Sequence, residues 1–170
     1  WATEHHSAYV CCVNVHMCME VHGDLSFAKV VQEADLATAD GMPLLKSLNR
    51  FNRLHQGRVA GNDLLPAVLA EAERRGLKVY FYGGAEETLD LIKARAAIDH
   101  PALHVAGAWA PPFRPLSPEE MLADAERISR SGASIVFVSL GCPRQERWMA
   151  AMKGNVNGVM LGVGGAFLLY

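Results

Sequence analysis

No apolar run in this chain approaches the ~18 to 20 residues that a membrane-spanning helix needs, which leaves a peripheral protein open but not a helical integral one. No secretory leader is visible, because Trp1 to Ser7 is polar and carries Glu4, His5 and His6. The four cysteines, Cys11, Cys12, Cys18 and Cys142, contain no C-x-x-C pair. Cys11 and Cys12 are adjacent, and neighbouring residues on a strand face opposite ways, so one bridge or one metal site does not suit them. The chain reads as reduced and cytoplasmic. His16, Cys18 and His22 lack further ligands and read as separate residues on one turn and helix, so no metal site is expected.

Excess charge is also lacking. The formal net charge is -2, and the basic residues are scattered apart from pairs such as Arg74 and Arg75, so a nucleic-acid partner is not expected. Several motifs are missing. There is no G-x-x-x-x-G-K-[ST] phosphate loop and no G-x-S-x-G nucleophile elbow. There is no D-x-D carboxylate pair to bridge a metal to a nucleotide sugar. The segment Gly162 to Phe167 begins as G-x-G, but Phe167 stands where a dinucleotide fingerprint has its third glycine. That disfavours a nicotinamide-dependent oxidoreductase.

What is present is an ordinary globular balance, 51% apolar and 20% charged over 170 residues, enough for one domain with a substantial core. Short apolar runs alternate with amphipathic stretches. Strands are expected at Tyr9–Val13, Leu36–Thr38, Val79–Tyr82, Leu103–Ala106, Ile135–Leu140 and Val159–Val163. Asp24 caps a helix through Gln32, and Met42–Arg53 is a helix with Pro43 in its first turn. Asp63–Arg75 stops at Gly76, and Glu86–Ile98 follows. Ser117-Pro118-Glu119-Glu120 is a capping box opening a helix to Ser131, and a short helix ends near Met152. Ala110–Leu116, with its three prolines, is an irregular loop. Alternation of this kind predicts a single α/β domain over residues 1–170, with a Rossmann-like, mostly parallel sheet and helices on both faces.

Ligands of such folds bind beyond the carboxyl ends of the strands. Each residue standing there has two readings. Gly83 and Gly84 suit a close backbone approach to a diphosphate, or simply a tight turn. Gly141, Arg144 and Gln145, at the start of a helix, suit a phosphate or sugar hydroxyl, or are solvated polar groups at a capped end. Asp40 before Gly41 is a turn or cap residue, or a general base aimed into a cleft. Asn14 forms a turn, or holds a sugar group or orients Asp40. Arg58 closes a surface loop, or neutralises a departing diphosphate.

Read in order, the segments CVNVHM, ADLATADGMPLL, RVAGNDLLPAVLAEAERRG, VYFYGG, PPFRPLSPEE, VFVSLGCPRQERWM and VMLGVGGAF resemble the WecG/TagA/CpsF glycosyltransferases from Tyr9 to Phe167. The resemblance implies an inverting, metal-independent transferase without a cofactor. It would move a sugar, typically N-acetylmannosamine or a related hexose, from a UDP-sugar to an undecaprenyl-diphosphate-linked acceptor in bacterial surface polysaccharide or teichoic acid synthesis. It places the catalytic base at Asp40, with Asn14, Arg58 and Gln145 on matching functional positions. Cys12 stands where the family usually has threonine, and a thiol is the weaker hydrogen-bond donor. After Phe167 the family tends to continue with an aspartate and further helices that help close the site and dock on the inner face of the plasma membrane. The resemblance therefore implies a truncated core that can be inactive alone, and a homo-oligomer is open. The rival is a catalytically silent module that binds a nucleotide sugar.

Overall fold

The computed structural model describes residues 1–170. The apolar runs become strands β1 (Ala8–Val13), β2 (Leu36–Ala39), β3 (Lys78–Gly83), β4 (His104–Trp109), β5 (Ile135–Ser139) and β6 (Val159–Gly162). They form one six-stranded sheet in the order β2-β1-β6-β5-β3-β4, with every pairing parallel. The period of two along each strand divides the core. Tyr80, Tyr82, Val136, Val138 and Met160 face one side; Val79, Phe81, Ile135, Phe137 and Leu161 face the other.

Eight helices cover the two faces: α1 (Val15–Gly23), α2 (Leu25–Gln32), α3 (Met42–Asn52), α4 (Gly61–Arg75), α5 (Glu86–Asp99), α6 (Pro118–Ser131), α7 (Arg144–Met152) and the single turn α8 (Ala166–Leu169). Met17 of α1, Phe27 of α2, Ile128 of α6 and Met149 of α7 seal the first face. Leu65 and Leu69 of α4, Leu89 and Ile92 of α5 and Phe167 of α8 seal the second. Aromatic contacts bind strand to strand and strand to helix: Phe81 stacks on Phe137 at 5.7 Å, and Tyr82 on Trp148 at 4.1 Å between centroids. The Tyr82 hydroxyl donates to Asp124 at 2.6 Å, which satisfies both polar groups inside the core.

The expected single sheet with helices on both faces is what folds, and the local stops behave as their chemistry dictates. Asp24 Oδ1 accepts from the amides of Ser26 and Phe27. Ser117 and Glu120 exchange the two capping-box bonds. Gly76 and Gly132 end their helices in the left-handed region. The differences lie at boundaries. A whole helix, α1, follows β1 at once, with Asn14 as its N-cap. Helix α4 begins at Gly61 rather than Asp63, and β4 continues to Trp109 around a register shift that leaves Ala106 unpaired. At Gly107 in that strand, a Cβ would lie 2.6 Å from the Tyr80 ring, so a side chain there would have to displace that ring.

Topology places the crevice. Strand β1 connects outward to β2 at one edge of the sheet, and β3 connects outward to β4 at the other. Their connections diverge above the carboxyl ends of β6 and β5, where open parallel sheets take ligands.

Candidate active site

Two clefts occupy that end of the sheet. The first, of about 370 Å³, gathers Cys12, Asn14, Asp40, Gly141 and Gln145 from three different segments of the chain. Strand β1 delivers Cys12 and Asn14, and the parallel β2 brings Asp40 beside them, its amide donating to Val13 O at 2.8 Å. Asn14 Oδ1 accepts from the amide of Met17 at 3.0 Å and so caps α1; its Nδ2 has no partner within the chain. Asn14 thus takes the capping role, and its amide nitrogen stays available to the cleft.

Asp40 is half-buried, and Arg58 stands beside it with Nη1 3.8 Å from Oδ1. Arg58 is more tightly engaged elsewhere, with Nη2 2.8 Å from Asp63. Burial raises the Asp40 carboxyl above its ordinary range; Arg58 pulls it back down, and Asp63 adds to the rise. A carboxylate made more basic in this way, and open to the cleft, is equipped to accept a proton. Burial likewise pushes the Cys12 thiol up to about 11, against a lowering hydrogen bond with Thr38, so Cys12 is a neutral thiol at physiological pH.

Gln145 lies on the cleft floor over Gly162, where any side chain would collide: a Cβ there would be 2.7 Å from Gln145 Nε2. Its amide is held at both ends. Oε1 accepts from the amide of Gly164 at 3.0 Å, and Nε2 donates to Glu146 Oε1 at 2.9 Å. Glu146 is wholly buried, and its Oε2 has no hydrogen-bond partner. The sequence did not single out Glu146. Beside Arg144 and Gln145 it looks like one more polar residue in the first turn of a surface helix, and only the packing of α7 under the sheet reveals a buried carboxylate. Gly61, without a role legible in sequence, presses its Cα on Val163, where a Cβ would lie 2.6 Å from the carbonyl oxygen.

The second cleft, of about 390 Å³, holds Gly84, Ser139 and Arg144 together with Ala85 and Phe113. Arg144 donates to the carbonyls of Pro112 at 2.9 Å and Arg114 at 3.1 Å, and so pins the proline-rich loop that forms one wall. Ala85 caps α5 without a side-chain bond, so no side chain satisfies the first backbone N–H groups of that helix, whose start lines this cleft. Ser139 joins the two clefts, its hydroxyl donating to Gly164 O at 2.7 Å. Gly83 opens into neither. Its φ is 99°, and a Cβ would lie 2.3 Å from Ser139 O, so this glycine serves the close approach of β3 to β5.

Apart from Gly83, the sequence candidates therefore fall into a carboxylate-bearing cleft and a loop-walled cleft at one end of the sheet, with Arg58 on the rim of the first. No group of three or more His, Cys, Asp or Glu side chains is arranged to hold a metal ion. No helix is long and apolar enough to cross a membrane. The family model described as Glycosyl transferase WecG/TagA/CpsF family matches residues 1–170. That match, over the whole length described, implies a sugar donor and an acceptor as substrates and a part in polysaccharide or cell-wall synthesis; the chain belongs to the WecG/TagA/CpsF family of glycosyltransferases.

Proposed function

We propose that this chain transfers N-acetylmannosamine or a related hexose from a UDP-sugar to an acceptor carried on undecaprenyl diphosphate, with inversion at the anomeric carbon. The observation that carries the reading is Asp40: a half-buried carboxylate, raised above its ordinary range, at a strand end inside the cleft and 3.8 Å from an arginine. Asp40 accepts the proton of the acceptor hydroxyl as that oxygen attacks the anomeric carbon. The carbon's bond to the diphosphate oxygen breaks, and the electron pair leaves with UDP. Attack from the face opposite the leaving group inverts the centre.

Arg58 balances charge at the rim as the diphosphate departs. The Gln145 amide, fixed at both ends, and the free Nδ2 of Asn14 offer donors to sugar or phosphate oxygens. A metal-independent reaction is supported by the lack of a D-x-D pair and of any clustered carboxylate or imidazole ligands. Work on a lipid-linked acceptor implies a cytoplasmic protein lying against the inner face of a bacterial plasma membrane.

Cys12 favours a second reading, a module that binds the nucleotide sugar without transferring it, since a thiol donates more weakly than the family's usual threonine. Calorimetric titration with UDP-N-acetylmannosamine, with and without chelator, tests the donor, and a transfer assay on Asp40→Asn tests the base. Chelator-insensitive binding, with transfer lost in the Asn variant, is the expected result. Undiminished turnover by that variant overturns the base assignment, and binding with no turnover by the parent chain favours the silent module.

A further inference from the structure

We infer that the outer face of α3, the helix that begins two residues after Asp40, together with the turn that follows it, is a docking surface for an anionic lipid bilayer. The inference rests on the lipid-linked acceptor proposed above and adds the surface by which this chain reaches it.

The charge pattern carries the argument. Salt bridges within the chain engage every Lys and Arg except Lys46, Arg50, Arg53, Lys78 and Arg144. Arg144 is occupied by the carbonyls of Pro112 and Arg114, and Lys78 lies at the opposite end of the sheet, at the start of β3. The other three belong to one feature. Lys46, Arg50 and Arg53 recur at i, i+4 and i+7, so they line one exposed stripe of α3 and its C-cap. No acidic residue occurs between Asp40 and Asp63, so nothing local neutralises them.

Apolar groups share this surface. Phe51 is 80% exposed, Met42 48% and Leu54 38%, whereas Leu45 on the opposite side is buried toward the protein. Helix α3 rests on β2, the edge strand of the sheet, and Met42, Lys46, Ser47, Arg50 and Phe51 on its outer side are exposed. Unpaired cations interleaved with an exposed aromatic and two aliphatic side chains match what an interfacial helix presents to anionic headgroups and the acyl boundary beneath them. Position agrees with function. Met42 opens α3 two residues after Asp40, so a bilayer on this face would bring a polyprenyl-anchored acceptor to the edge of the sheet that carries the base.

The test is co-sedimentation of this chain with vesicles of phosphatidylcholine alone and of phosphatidylcholine mixed with phosphatidylglycerol. Three variants accompany the parent: the triple charge reversal K46E/R50E/R53E, Phe51→Ser, and Lys78→Glu as a control at the far end. Binding to the anionic vesicles only, weakened about a hundredfold or more by the triple reversal and several-fold by Phe51→Ser, is expected. Lys78→Glu should bind as the parent does. The substituted side chains on α3 are exposed and unpaired, so their melting curves should match the parent's.

Equal binding to neutral vesicles, an intact interaction in the triple variant, or no vesicle binding by the parent would overturn the surface. So would light scattering that shows a dimer in the absence of lipid, dissociated by Phe51→Ser, since the face would then belong to a second copy. Release by sodium phosphate beyond that by sodium chloride of equal ionic strength would reassign the cations to a free phosphate. Titration of the same samples with UDP-N-acetylmannosamine separates the two ideas. Donor binding without vesicle binding removes only the surface, and vesicle binding without donor binding removes only the proposed reaction.

Discussion

Arg58 faces two carboxylates at once, Asp63 at 2.8 Å and Asp40 at 3.8 Å. The closer partner is the one outside the cleft, so Asp40 receives only part of the arginine's field, and burial remains the largest influence on its proton affinity. This three-residue arrangement sets how basic the proposed catalytic group is.

The acid limb of the pH–rate profile should follow. Asp40 must be ionised to accept a proton, so transfer should rise with pH through an apparent pKa above the ordinary 3.8. Arg58→Ala removes the influence that lowers this pKa and should move the limb to higher pH. Asp63→Asn removes one that raises it and frees Arg58 for Asp40, so the limb should move to lower pH. Profiles of kcat for the parent and both variants, taken at saturating donor, measure the shifts. Limbs that coincide in all three would show that Asp40 is not the group titrating.

The same raised pKa makes a stability prediction of definite sign. The folded chain holds the Asp40 proton more tightly than the unfolded chain does. Any stability from this group is therefore present below its unfolded pKa and lost as pH rises through the folded value. At neutral pH the ionised side chain is a cost. Asp40→Asn should be at least as resistant to urea as the parent at pH 7, and the gap should close near pH 4, while transfer falls roughly 10²- to 10⁴-fold. A variant that is clearly less stable at pH 7 would contradict the proposed environment of Asp40.

Gln145 and Glu146 should be coupled. Gln145→Ala leaves the Gly164 amide only its longer bond to Val138 O at 3.3 Å and removes the donor to the buried Glu146 Oε1, a loss of about 1–3 kcal/mol. Glu146→Gln keeps an acceptor oxygen for Gln145 Nε2, so it should cost less than Gln145→Ala. Urea unfolding of both single variants and of the double variant gives the coupling. Strictly additive effects would mean that the two side chains do not hold each other.

The fold was legible because buried parallel strands carry their signal in short apolar runs, as at Val79–Tyr82 and Ile135–Leu140, and because Asp24, Ser117, Gly76 and Gly132 mark helix ends with their own chemistry. Helix α1 was not. Its segment from Val15 to Gly23 has two histidines and buries only Met17, so no apolar stripe announces it; the legible sign was Asn14, which caps it. In the site, strand-end position was enough to pick out Asp40, Asn14 and Gln145. It could not reveal that Gly84 and Arg144 open into a different cleft, nor that Glu146 is buried, because both follow from how α7 and the loop at 110–116 pack rather than from any local pattern.

The glycines give the sharpest contrast between residues that look alike in sequence. Gly83 ends β3 and Gly141 comes just after β5, and both sit at positive φ, 99° and 78°. At Gly141 a Cβ would meet nothing within 4 Å, so Gly141→Ala should cost only the backbone strain of a left-handed residue, about 1–2 kcal/mol. At Gly83 the same Cβ would lie 2.3 Å from Ser139 O, and that oxygen is backbone in the next strand and cannot swing aside. Gly83→Ala must therefore part β3 from β5 in the middle of the sheet, a loss well beyond ~2 kcal/mol that should show as a collapsed urea midpoint or as insoluble chain. If the two alanine variants unfold at the same urea concentration, the tight passage between β3 and β5 is not there, and Gly83 goes back to being a candidate for ligand contact.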